Sequence, residues 1–231
     1  DLRLAARSRP VVWTAHNLLP HNRNGEPGIA KNMRLTAQKA SAVIAHSAGA
    51  KDQLVSSFGL PAEKCHVIPH GDQSCAYPLP MDRVRAERIL GLANEKNKRV
   101  LMFGPITPYK GVSEVVEKWS RMNGAARLYV VGPVLNGEYA ADLERLAAGN
   151  NRVCLHFCRN WLSETELAAW LSSVDAVVFN YRTVFTSGAA SLARSCGIPV
   201  LLPNRLDTVD LGEPHSHVFR FDSLDSGFED A

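Results

Sequence analysis

Apolar positions along this chain alternate between two rhythms. Short runs rich in β-branched and aromatic residues stand at 9–16 ("RPVVWTAH"), 41–47 ("SAVIAHS") and 64–70 ("KCHVIPH"). Further runs follow at 99–104, 126–131, 152–157, 175–180, 198–202 and near 217–221. Their length and composition predict buried strands. Between them the period lengthens to that of a helix. Val112, Val115, Val116, Trp119 and Met122 recur at helical spacing, and so do Leu167, Trp170, Leu171 and Val174 after the capping box Ser163-Glu164-Thr165-Glu166. "GIAKNMRLTAQKA" and "SAGAKDQLVSSFG" also read as helices, the second with Ser47 as N-cap and Gly59 as its stop. Strands that are apolar throughout, each followed by a helix, predict parallel sheets covered on both faces. The expected fold is therefore α/β, with two doubly wound units. The prolines and charged cluster of "CAYPLPMDRVRAERILGLANEKNK" mark the boundary. The expected division is residues 1–85, a linker at 86–98, and residues 99–231.

Composition narrows the functional classes. An apolar share of 45% over 231 residues supports real cores. A net charge of +3, from 26 basic and 23 acidic residues, with no basic cluster interleaved with aromatics, argues against nucleic acid. Five cysteines, an odd number, suggest a reducing compartment and no disulfide framework. Cys154 and Cys158 flank His156 in "VCLHFC", but a strand spreads residues four apart too widely for one tetrahedral zinc, so no metal is expected. No signal peptide is visible, and no apolar run approaches the ~20 residues of a membrane-spanning helix. The chain opens on "DLRLAARSRP" and stops at "DSGFEDA", which reads as part of a longer protein.

In open parallel sheets, ligands gather beyond the C-terminal ends of the strands. Four loops there carry candidate chemistry. In "FGPITPYKG" the strand ends in a glycine, and Lys110 stands where a helix begins. This is neither a Walker A loop nor a dinucleotide fingerprint. A lysine there either meets an anion or is simply solvated in an electrostatically poor place. In "FNYRTVFTSGAASLARSCG", small residues from Ser187 and Gly188 onward open a helix. Uncovered N–H groups there can reach a phosphate, or the small residues serve tight packing. "HNLLPHN" places His16 and His21 after the first strand. "PHGD" places His70, Gly71 and Asp72 after the third, where the glycine also fits an ordinary turn.

"VVWTAHN", "ASAVIAHSAGAKDQLVSSFGLPAEKCHVIPHG", "FGPITPYKG", "YVVGP" and "TSGAASLARSCGIPVLLPN" follow one another as in GT-B-fold glycosyltransferases of the group 1, family 4-like type, which nearly the whole chain resembles. The resemblance implies two Rossmann-like domains facing a cleft, the first of them incomplete here. It implies a nucleotide-diphosphate sugar held by the second domain, a sugar or lipid-linked acceptor held by the first, and no metal cofactor. Lys110 would be the diphosphate lysine, Ser187 and Gly188 the amide cradle, and His16 the histidine near the transferred sugar. His21, His70 and Gly71 would border the cleft. A hexosyl transfer in cell-envelope or exopolysaccharide assembly is implied, in the cytoplasm, with peripheral contact at the inner face of the membrane. The segment 28–40 carries Lys31, Arg34 and Lys39 but only Ile29, Met33 and Leu35 as larger apolar residues, so it reads as a solvated surface helix.

The chain also departs from the family pattern. The usual arginine position before the lysine is Pro105, and the usual pair of glutamates falls on Val184 and Leu192. Arg182 is the expected substitute for the missing charge. Glu26 and Asp72 are the carboxylates nearest to a general-base role. Two other readings follow from the departures: a non-catalytic relative that binds or regulates a partner, and a GT-B sugar epimerase, which the Lys-Gly stretch fits less well.

Overall fold

The computed structural model describes residues 9–19, 28–93, 95–206, 217–226 and 228. The expected strands form there, and all of them pair in parallel. The chain folds as two units. The first holds the described residues up to Gly71 together with Val184–Ser187; the second holds Asp72–Thr183, Gly188–Leu206 and the described residues from 217 onward.

In the first unit, β1 (Val12–Thr14), β2 (Ala42–Ala45) and β3 (Cys65–Val67) form a sheet in the order β1-β2-β3. Helix α1 (Ile29–Lys39) lies between β1 and β2 in sequence, and α2 (Ala48–Phe58) between β2 and β3. The stop and start signals of α2 act as their chemistry dictates. The Ser47 hydroxyl accepts from the Ala50 amide, and Gly59 takes a left-handed φ of 63° at the far end. Val43, Ala45, Leu54, Phe58 and Phe185 share one core.

The second unit carries helix α3 (Arg83–Leu90) and strands β4 (Arg99–Phe103), β5 (Arg127–Pro133), β6 (Val153–Cys158), β7 (Ala176–Val178), β8 (Val200–Pro203) and β9 (Val218–Phe221). Its sheet runs β6-β5-β4-β7-β8-β9. Helices α4 (Val112–Arg121), α5 (Gly137–Ala147), α6 (Glu164–Ser173) and α7 (Gly188–Ser195) connect the strands. The apolar stripe of α4 (Val112, Val115, Val116 and Trp119) is buried, each such side chain worth about 1.5–3 kcal/mol. The indole N–H of Trp119 donates to the Ala126 carbonyl at 3.0 Å. The capping box of α6 forms in both directions between Ser163 and Glu166.

Residues 83–90, which run into the linker expected from sequence, are helix α3, and it packs along α6 inside the second unit. Arg99 explains why. Its fully buried guanidinium donates to Glu87 at 2.7 Å, to the Ser173 carbonyl at 2.7 Å and to the Glu95 carbonyl at 2.8 Å. A polar-looking stretch is thus tied down through its charges, while Ala86 supplies the buried contact. Among the described residues no helix is long and apolar enough to cross a membrane.

Candidate functional site

In the second unit the chain winds outward from β4 through β5 to β6, then returns to the other side of β4 at β7. A reversal of this kind leaves a crevice beyond the strand C-termini, the usual ligand position in open α/β sheets. The loop from β4 enters it at Gly104, makes a tight helical turn over Pro108–Lys110, and feeds α4 through Gly111. Gly111 has φ 65°, and a Cβ there would collide with the Asn180 carbonyl oxygen beyond β7. Gly132 on β5 lies against the Gly104 carbonyl oxygen so closely that it too has no room for a Cβ. Gly104 and Gly132 thus bring the ends of β4 and β5 into backbone contact, and a Cβ on Gly104 would meet the Lys110 ammonium.

Lys110 turns back over this floor. Its ammonium donates to the Phe103 carbonyl at 3.3 Å and lies 5.8 Å from the centre of the Tyr181 ring. Only 4% of the residue is exposed. Burial lowers its pKa from 10.5 to about 8, because the charged form loses hydration. Among the described residues no carboxylate pairs with it.

Above the lysine is a cavity of about 400 Å³. Phe103, Pro105, Pro133, Trp161, Leu162 and Leu167 line it together with Gly188, Ala189 and Leu192 of α7. Lys110 and Glu164 are the two charged side chains on a largely apolar wall. The size is that of a small-molecule site, with few polar groups to fix orientation.

The predicted residues divide between the two units. Lys110 and Gly188 meet at this cavity. Ser187 is buried and belongs with the first unit. Arg182 is exposed; its guanidinium bonds the Glu114 carboxylate at 2.6 and 2.8 Å, and its amide donates to the Tyr109 carbonyl. Of the positions that depart from the family pattern, Pro105 and Leu192 line the cavity, and Val184 sits in the first unit. His21 and Glu26 lie outside the described residues. Asp72 is held in a turn by the amide and hydroxyl of Ser74, which lower its pKa. Gly71 has open space around it and no left-handed φ, so the backbone there does not demand a glycine.

The first unit adds a residue that the sequence reading missed. His16, His46 and His70 follow β1, β2 and β3, and the sheet order sets those three strand ends side by side. The rings of His46 and His70 stack with centroids 3.9 Å apart, and that of His16 lies 5.2 Å from His46. The backbone carbonyl of His16 accepts from the Thr186 hydroxyl at 3.0 Å. His46 was legible only as a residue inside the run "SAVIAHS".

Parallel strands, short crossovers and a cavity at the switch point over a buried lysine define a doubly wound α/β architecture. The family is more definite. Residues 97–216, more than half of the chain, match the model described as "Glycosyl transferases group 1", and residues 2–71 match "Glycosyltransferase Family 4". The chain belongs to the group 1 glycosyl transferases. It is 28% identical over 232 residues to D-inositol 3-phosphate glycosyltransferase 1 of Catenulispora acidiphila, covering 86% of this chain and 51% of that relative. Among solved structures, Anabaena Alr3699/HepE, crystallised in complex with UDP and glucose, matches with TM-score 0.70 at 21% identity, over 95% of this chain and 61% of its own. Sucrose-phosphate synthase of Thermosynechococcus elongatus matches with TM-score 0.70 at 16% identity, over 93% and 56%. These likenesses establish the GT-B fold. The chain spans about half the length of the curated relative and about three-fifths of the Anabaena structure.

Proposed function

We propose that this chain is the nucleotide-sugar-binding part of a glycosyltransferase, and that the cavity over Lys110 takes the diphosphate of the donor. The buried lysine carries the reading. An ammonium buried under largely apolar walls, with no carboxylate paired to it among the described residues, is unfavourable in the empty protein, and a diphosphate above it supplies the missing counter-charge. As the sugar–phosphate bond breaks, negative charge grows on the departing diphosphate. Lys110 and the first N–H groups of α7 stabilise that charge in a site of low dielectric. The N–H groups are reachable because Gly188 and Ala189 carry little or no side chain. The cation comes from the protein, so the transfer needs no metal, and a chelator leaves it intact. The relatives that bind UDP support a nucleoside diphosphate as ligand. A hexosyl group, a sugar or lipid-linked hydroxyl as acceptor, and a role in envelope or exopolysaccharide assembly at the cytoplasmic face of a membrane complete the reading.

Thermal stability against UDP, GDP, ADP and their sugar conjugates tests it. A ligand at ~100 times its Kd stabilises by about 2.7 kcal/mol. One nucleoside diphosphate raising the melting temperature, with the effect lost in Lys110→Ala, supports the site; no response from a folded chain refutes it. A second reading, a binding or regulatory relative without turnover, is favoured by Pro105 and Leu192, apolar on the cavity wall where the resemblance calls for arginine and glutamate. Binding without hydrolysis or transfer in the longest available form of the protein would select it.

A further inference from the structure

The lining of the cavity over Lys110 comes from loops of different strands. Lys110 follows β4, whereas Trp161 and Glu164 follow β6, and β5 stands between those two strands in the sheet. At about 4.8 Å per strand the two loops leave the sheet about 10 Å apart. That separation leaves room for a ribose between a diphosphate over Lys110 and a base beside α6. Two side chains on the α6 loop have no role in the fold that explains their place. Trp161 is 71% exposed although it lines a cavity. The Glu164 carboxylate, in the first turn of α6, has no hydrogen bond or ion pair among the described residues. Glu166 in the same turn is engaged in the cap by the amide and hydroxyl of Ser163. The helix dipole favours an acidic residue at that start wherever its side chain points. It does not account for a carboxylate on a largely apolar cavity wall.

We infer that Glu164 selects the base of the donor, and that this base is guanine. The inference rests on the reading of the cavity as the diphosphate site. An ionised carboxylate only accepts hydrogen bonds, and its two oxygens are best met by two parallel donors. Among the common bases guanine alone offers adjacent donors on one edge, its ring N–H and its amino group. Uracil offers one N–H between two carbonyls, so the second carboxylate oxygen faces a lone pair. Adenine and cytosine set one amino group beside a ring nitrogen that only accepts, with the same result. The carboxylate also repels phosphate, which turns the base and not the diphosphate toward α6. Trp161 adds a face on which any base stacks, so it contributes affinity without choosing.

The experiment is calorimetric titration of the chain with GDP, inosine diphosphate, UDP and ADP, repeated in Glu164→Gln and Lys110→Ala. Inosine diphosphate is GDP without the amino group, so it removes one of the two bonds and nothing else. GDP is expected to bind about tenfold or more tightly than inosine diphosphate, the loss that follows from one hydrogen bond to a charged group. UDP and ADP should fall at least as far below GDP. Glu164 is exposed, so Glu164→Gln keeps the fold, and it should bring the four affinities to within a few-fold of one another. A purely structural role at the helix start would lower the melting temperature and leave the ratio of affinities alone. That result overturns the inference, and so does tighter binding of UDP or ADP than of GDP. In both cases Lys110→Ala still loses every diphosphate, which keeps the reading of the cavity intact. No binding of any diphosphate by the folded chain overturns both.

Discussion

Raising the pH through 8 removes the proton from Lys110 in the empty cavity, and a bound diphosphate restores it. In the free protein the ammonium titrates at about 8, and neutralising its burial with an anion returns it towards 10.5. Below pH 7 the lysine is charged in both states and adds no pH dependence of its own to the affinity for the nucleoside diphosphate. Between 8 and 10.5 the free protein has lost a proton that the complex keeps, so affinity falls by up to tenfold per pH unit. The full span from 10.5 to about 8 corresponds to about 3.4 kcal/mol, or roughly 300-fold. The same linkage predicts proton uptake on binding of about 0.1 at pH 7, about 0.5 at pH 8 and about 0.9 at pH 9. Isothermal titration in buffers of different ionisation heat measures that uptake directly. Ionisation of the nucleobase or phosphate appears equally in Lys110→Ala, so the difference between wild type and variant isolates the lysine. Equal proton uptake in both would refute the placement of the diphosphate over Lys110.

Other outcomes follow from the same geometry. Lys110→Met should stabilise the empty protein by about 1–3 kcal/mol at pH 7. Wild-type stability then rises from pH 8 to 10.5, because the unfolded chain holds the proton that the folded one sheds, so urea midpoints of the two should converge there. Gly132→Ala drives a methyl into the Gly104 carbonyl and should cost about 2 kcal/mol or more in urea unfolding. Arg182→Ala removes a half-exposed ion pair with Glu114 and should change stability by less than about 1 kcal/mol. A several-fold loss of diphosphate affinity in that variant would show that Arg182 leaves Glu114 for the ligand, and unchanged affinity would remove it from the site.

Period and cap chemistry made the architecture readable in advance. The stripe from Val112 to Trp119, the Ser163–Glu166 box and the Ser47/Gly59 pair are local signals, and local hydrogen bonding and burial obey them. Helix α3 was obscured because it is held by charges: Glu87 and the backbone around it answer to Arg99, a partner that tertiary structure alone reveals. Lys110 was legible as a lysine at a loop end, but its burial was not. That depends on two strand ends touching through Gly104 and Gly132, far apart in sequence. The histidines show the same limit more sharply. His16 and His70 could be picked from their loops, whereas His46 gains meaning only once β2 lies between β1 and β3.

A cation sealed beneath an apolar wall has a kinetic consequence as well. Mobile ions screen exposed charges over about 8–10 Å, and charged surface funnels speed the capture of charged ligands when salt is low. Lys110 is only 4% exposed at the base of its cavity, and the chain's net charge of +3 supplies little long-range pull. Capture of the donor at this cavity should therefore depend weakly on ionic strength, its rate set by collision and fit at the mouth. The lysine acts last, after the phosphates have shed their water.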